Sequence, residues 1–161
     1  SYGGHAALRL MKDLEFGDKR KWAGIVSLEP PCNIFHEPRN FITPILVLKG
    51  GESHYEPKPC KTMIDLYASA GADASLKIFP KSNHFFSHNG KIVKGVAFNG
   101  CGDNPVVIGI TNSLKFLDGS QANPKIVRKK CFTKTAGSGK SREDLKLAIN
   151  ASIEFFKSKL Y

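Results

Sequence analysis

No run in this sequence approaches the ~20 consecutive apolar residues that a membrane-spanning helix needs, which excludes an integral helical membrane protein. The first residues, Ser1-Tyr-Gly-Gly-His5, contain no basic segment followed by an apolar one, so no signal peptide is visible, although processing would remove one. Internal repeats and low-complexity tracts are lacking, which argues against solenoids and disordered tails. Cysteine is sparse, four in 161 residues, and no Cys-x-x-Cys pair exists, so zinc-finger spacing is absent and no metal site is expected. Tryptophan occurs once, at Trp22, where packing at a strand start is expected. Acidic residues are in deficit: 14 against 24 basic gives a net charge of +10.

What is present suits one globular domain, since 41% of the residues are hydrophobic and the length allows a real core. The charge is uneven: residues 1–114 carry 13 basic and 10 acidic side chains, residues 115–161 carry 11 and 4. No nucleic-acid motif or interleaved aromatic pattern accompanies the basic segment, so it reads as a solvated Lys-rich surface and no nucleic-acid partner is expected. Cys32 and Cys60 sit in similar settings, Pro-Pro-Cys and Pro-Lys-Pro-Cys, while Cys101 and Cys131 bracket an irregular segment. Pairing as Cys32–Cys60 and Cys101–Cys131 would fit an oxidising compartment, periplasmic or secreted. Four buried or unpaired thiols in a cytosolic protein is the other reading.

The periodicity predicts a helix from His5 to Phe16, with Ala6, Ala7, Leu10, Met11 and Leu14 on one face. Buried strands are expected at Trp22–Leu28, ended by Pro30-Pro31, and at Pro44–Leu48, halted by Gly50-Gly51. Residues 32–43 read as loop. A helix from Pro59 to Ala70, closed by Gly71, precedes a short strand at Leu76–Phe79. Strand, helix, strand in this rhythm marks a βαβ unit with a parallel sheet. Residues 85–141 are rich in glycine and read as an insertion, a hairpin or irregular flap. A last helix spans about Arg142 to Lys159, with Ser141 and Asp144 resembling a capping box and Leu145, Ile149, Ile153, Phe156 and Leu160 as its apolar stripe.

Three weaker signals have ordinary explanations. Gly137-Ser-Gly-Lys-Ser141 resembles a phosphate loop, but Lys134 stands where the first glycine belongs, and a capped helix start accounts for it. His84 and His88 are four apart, yet Pro80 and Gly90 argue against a helix carrying them as metal ligands. Asn150-Ala-Ser152 is a glycosylation sequon inside a predicted helix, a poor acceptor.

The chemistry concentrates at two places. Ser1-x-Gly3 followed at once by a helix is the second half of a G-x-S-x-G nucleophile elbow, in which serine sits on a tight strand-to-helix turn. His84 lies in a loop just past a predicted strand, where a doubly wound sheet keeps its site. A nucleophile, then an acid after a strand, then a histidine is the chain order of α/β hydrolases.

Taken together, Ser1-Tyr-Gly-Gly, Ala23–Cys32, Pro44–Gly51 through Tyr55–Cys60, Ala70-Gly-Ala and Leu76–Pro80 with His84 resemble the C-terminal half of the dienelactone hydrolase family of α/β hydrolases. The resemblance covers residues 1–86 and the final helix, 142–161, leaving 87–141 as an insertion after the catalytic histidine. It implies a partial, mostly parallel doubly wound sheet and a serine hydrolase acting on a carboxylic ester or lactone without a cofactor. Ser1 would be the nucleophile, His84 the general base, and the backbone N–H of Tyr2 one oxyanion donor.

Two departures stand out. The early strands of the usual domain are missing before Ser1, so this chain is expected to be one piece of a larger whole: either an N-terminal chain of the same precursor pairs with it as partner, or the parent was cut immediately before its nucleophile. The family's triad aspartate position holds Ser53; Glu52, or Glu56 after it, is then the expected acid, and Ser53 itself could hydrogen-bond the imidazole. The alternatives are a degenerate hydrolase scaffold that binds without turnover, and a self-cleaved N-terminal-nucleophile amidohydrolase using the Ser1 α-amine as base.

Overall fold

Three short β-rich runs build the central sheet, and helices pack on both of its faces. The computed structural model describes residues 2–13, 22–53, 55–84, 94–97, 101–136 and 142–160. Strands β1 (Ile25–Leu28), β3 (Ile45–Gly50) and β4 (Ala74–Phe79) form a parallel sheet in the order β1-β3-β4. Every residue of β3 is buried, as expected of a central strand covered on both sides.

The strand period of two divides the core. Ile45 and Val47 face one way, with Leu8 and Met11 of α1 (Tyr2–Asp13) and Met63, Ile64 and Tyr67 of α2 (Lys58–Ser69). Leu46 and Leu48 face the other way, with Phe79 and with Ala148, Ala151 and Phe155 of α4 (Arg142–Leu160). Helices on both faces of a parallel sheet make this an α/β architecture. The expected helices and strands recur within a few residues, and Gly71 ends α2 at φ +91°, a backbone region that favours glycine. The Trp22–Leu28 strand is shorter than expected, and Trp22 is 51% exposed instead of packed.

The face of α4 differs from the expected stripe. Ala148, Ala151 and Phe155 meet the sheet, because two alanines let the helix axis approach closely. Ile149 and Ile153, 49% and 45% exposed, instead line an outward groove of about 400 Å³ with Leu28, Leu145 and Phe156.

The glycine-rich region holds more order than a flap. Strand β2 (Ile34–His36), inside the stretch read as loop, pairs parallel with β6 (Val106–Ile108), which makes a hairpin with β7 (Leu114–Phe116). Strands β5 (Lys94–Ala97) and β8 (Thr133–Ala136) pair antiparallel. Helix α3 (Pro124–Cys131) is capped by the Asn123 side chain, which accepts from the Ile126 N–H at 2.9 Å. The partner of β2 lies far along the chain, so no local pattern announces it.

Both expected disulfides are present, Cys32–Cys60 and Cys101–Cys131. Each closes a loop of about 30 residues, worth roughly 3–4 kcal/mol by chain entropy. The first fastens the turn after β1 to the opening of α2; the second fastens the end of α3 beneath β6 and β7. Two disulfides suit an oxidising compartment, and among the described residues no helix is long and apolar enough to cross a membrane.

Candidate active site

Parallel strands end together, so whatever follows β1, β3 and β4 gathers at one edge of the sheet. Glu29 follows β1 directly. Its N–H donates to the Leu48 carbonyl at 2.9 Å, which continues the ladder, while its own φ is +50°. A non-glycine residue in that region stores about 1 kcal/mol or more, and such strain persists only where surrounding contacts over-determine the position.

Those contacts are four donors on one carboxylate. Oε1 accepts the backbone N–H of Gly50. Oε2 accepts from Lys49 Nζ at 2.9 Å, from the Ser53 hydroxyl at 2.8 Å and from His84 Nδ1 at 3.0 Å. Glu29, Lys49, Ser53 and His84 are all buried. Lys49 donates again to the Pro30 carbonyl at 3.3 Å, and the Tyr55 N–H donates to Ser53 Oγ at 3.1 Å. The Tyr55 ring leans on the His84 ring, centroids 4.8 Å apart, and lies 5.5 Å from Lys49 Nζ.

Each charge has a physical cause. Burial alone would raise the Glu29 pKa, but the His84 hydrogen bond, the Lys49 charge and the Gly50 N–H outweigh it and hold the carboxyl below its usual range. Burial lowers the His84 pKa below 6.5, with Glu29 opposing and Lys49 assisting. Burial also lowers Lys49, partly offset by Glu29. The site therefore holds an ionised carboxylate beside a neutral imidazole. A carboxylate facing Nδ1 draws the ring proton to that nitrogen, which leaves the lone pair on Nε2.

Helix α1 begins on the same edge. Ser27 Oγ donates to the Gly4 carbonyl at 2.8 Å. A Cβ on Gly4 would run into the Leu28 carbonyl and lie 3.1 Å from Pro30 N, so only glycine lets the first turn of α1 rest on the end of β1. Tyr2 opens that turn, where helix N–H groups lack intrahelical acceptors.

The sequence-based candidates fare differently. His84 joins this network. Ser1 lies outside the described residues, as do His88 and residues 137–141. Glu52 is not the acid facing His84: its side chain is exposed and its backbone N–H donates to the Ser82 carbonyl at 2.9 Å. Glu56 is exposed too. That place belongs to Glu29, one strand over, and Ser53 donates to Glu29. The signal for Glu29 was in the sequence: a carboxylate immediately past a predicted strand, halted by Pro30-Pro31.

Among the described residues no cluster of three His, Cys, Asp or Glu side chains is arranged to hold a metal ion. No family model, curated protein or solved structure matches this chain.

Proposed function

We propose that this chain is the nucleophile-bearing part of a serine hydrolase of the dienelactone hydrolase type, acting on a carboxylic ester or lactone. The observation that carries the reading is the buried Glu29–His84 pair at the C-terminal edge of a parallel sheet, with the first turn of α1 resting on that edge. Ser1, Glu29 and His84 follow the chain order nucleophile, acid, base.

In this mechanism Ser1 Oγ attacks the carbonyl carbon while His84 Nε2 takes its proton. The developing oxyanion is met by backbone N–H groups, Tyr2 among them. Glu29 fixes the Nδ1–H tautomer and stabilises the imidazolium. His84 then returns the proton to the leaving alcohol oxygen, and water, activated by the same imidazole, hydrolyses the acyl-enzyme. A scaffold that binds without turnover is the alternative that Ser53 at the aspartate position suggests; the buried Glu29 carboxylate on His84 favours turnover.

The edge of β1 belongs to the same proposal: a further parallel strand pairs beside β1 and completes the sheet. In support, β1 pairs only with β3 among the described residues, and the exposed apolar face of α4 lies next to Leu28. The decisive test is a fluorophosphonate probe on the native protein, read by intact mass. Labelling at Ser1 that disappears in Ser1→Ala and His84→Ala is expected. A fully folded native assembly that takes no label would overturn the enzyme reading.

A further inference from the structure

Ser53 and Glu29 sit on neighbouring strand ends and share one hydrogen-bond locus. β1 and β3 run in register, Leu28 beside Leu48, so Glu29 projects one residue past that pair. Ser53 follows β3 through a tight turn in which its N–H donates to the Gly50 carbonyl at 3.3 Å. Its hydroxyl reaches the same Oε2 that accepts from His84, at 2.8 Å and 3.0 Å.

From this juxtaposition we infer that the acid serving His84 can stand at either strand end, and that Ser53 is the positioning residue through which β3 holds the carboxylate carried by β1. This rests on the hydrolase reading for its kinetics, though not for its geometry. With Glu29 in place, a second carboxylate at position 53 would put two like charges on one site, where one of them would be forced to protonate. Position 53 then has to be a neutral donor, and serine is one. Conversely, a neutral amide at position 29 frees the locus, and an aspartate at 53 carries its oxygens one bond further than the serine hydroxyl. Lys49, buried beside it, and the Gly50 N–H supply the favourable surroundings for a negative charge there.

The experiment uses the full native protein and five variants, Ser53→Ala, Ser53→Thr, Ser53→Asp, Glu29→Gln and Glu29→Gln/Ser53→Asp, each checked for folding by circular dichroism. Two readouts are taken: the titration midpoint of the His84 ring by proton NMR, and kcat and KM for a p-nitrophenyl ester. Glu29→Gln removes the anion that holds the imidazolium, so the His84 midpoint falls and kcat drops by about 10³-fold or more. In the double variant the midpoint moves back up and kcat recovers at least about tenfold over Glu29→Gln, as restoring an oriented anion requires. Ser53→Ala lowers kcat with KM unchanged and moves the acid limb to higher pH, and Ser53→Thr restores both. Ser53→Asp alone is slower than wild type.

A double variant that titrates and reacts like Glu29→Gln would overturn the inference. So would a Ser53→Ala protein with the wild-type rate and pH profile, which decides the matter even if Glu29→Gln does not fold. If the wild-type protein fails to hydrolyse any ester, the hydrolase reading is what falls. The NMR midpoints of the same variants then decide the positioning claim alone.

Discussion

Glu29 shows how much one residue can be made to carry. It is buried, its backbone is held at φ +50°, and its two oxygens receive Gly50, Lys49, Ser53 and His84. Lys49→Met would leave this carboxylate without its ammonium partner, and removing one member of a buried pair costs about 3–5 kcal/mol. Urea unfolding should show that loss. The pH dependence has a definite sign. The pKa values of Glu29 and His84 are both lowered on folding, so the unfolded chain binds more protons than the folded one as acid is added. The His84 contribution is complete above 6.5 and is lost as pH falls through its lower folded value; the Glu29 contribution is complete above the ordinary carboxyl range and is lost at more acid pH still. Melting temperature should therefore fall in stages below pH 6.5, and the acid limit of kcat/KM should lie below 6.5. At this scale His84 was legible because it follows a strand. Glu29 follows a strand as well, but the family pattern directs attention to position 53, and only the pairing of β1 with β3 shows that the two positions meet.

Among the elements, the buried sheet and its helices were written in local periodicity, since continuous apolar runs and 3.6-residue spacing need only neighbours in sequence. Strand β2 and helix α3 were not. β2 owes its strand to Val106–Ile108, and α3 is only eight residues long, with its apolar contacts, Val127 and Cys131, spent on the small disulfide-bearing core. Helix α4 is legible in the periodicity but its packed face is not, because small alanines rather than large apolar side chains mark the side that meets the sheet. Two predictions belong here. Gly4→Val forces a side chain into the Leu28 carbonyl, so α1 must lift from β1; a loss of at least about 2 kcal/mol is expected in thermal unfolding. Replacing Cys32 and Cys60 by serine should cost about 2–5 kcal/mol, and because Cys32 follows Glu29-Pro-Pro, it should also slow the ester reaction more than loss of Cys101–Cys131 does.

For the whole molecule, the arrangement is directional. The Lys-rich segment 115–161 contributes α3 and α4, whereas the buried carboxylate–imidazole pair is built from residues that follow β1 and β4. The exposed Ile149 and Ile153 beside Leu28 form an apolar face next to the edge of β1 that pairs with no strand among the described residues. Because both side chains already face outward, Ile149→Lys/Ile153→Lys should leave the thermal unfolding midpoint within about 1 °C of wild type, measured by circular dichroism. The central claim is that Glu29 orients His84 for proton transfer, and it is tested most directly by comparing kcat/KM for ester hydrolysis in Glu29→Gln and Glu52→Gln. The account predicts a fall of about 10³–10⁴-fold for Glu29→Gln, the size seen when a triad acid is neutralised, and no change for the exposed Glu52→Gln. A folded Glu29→Gln protein with the wild-type rate, or a Glu52→Gln protein that has lost it, would contradict it.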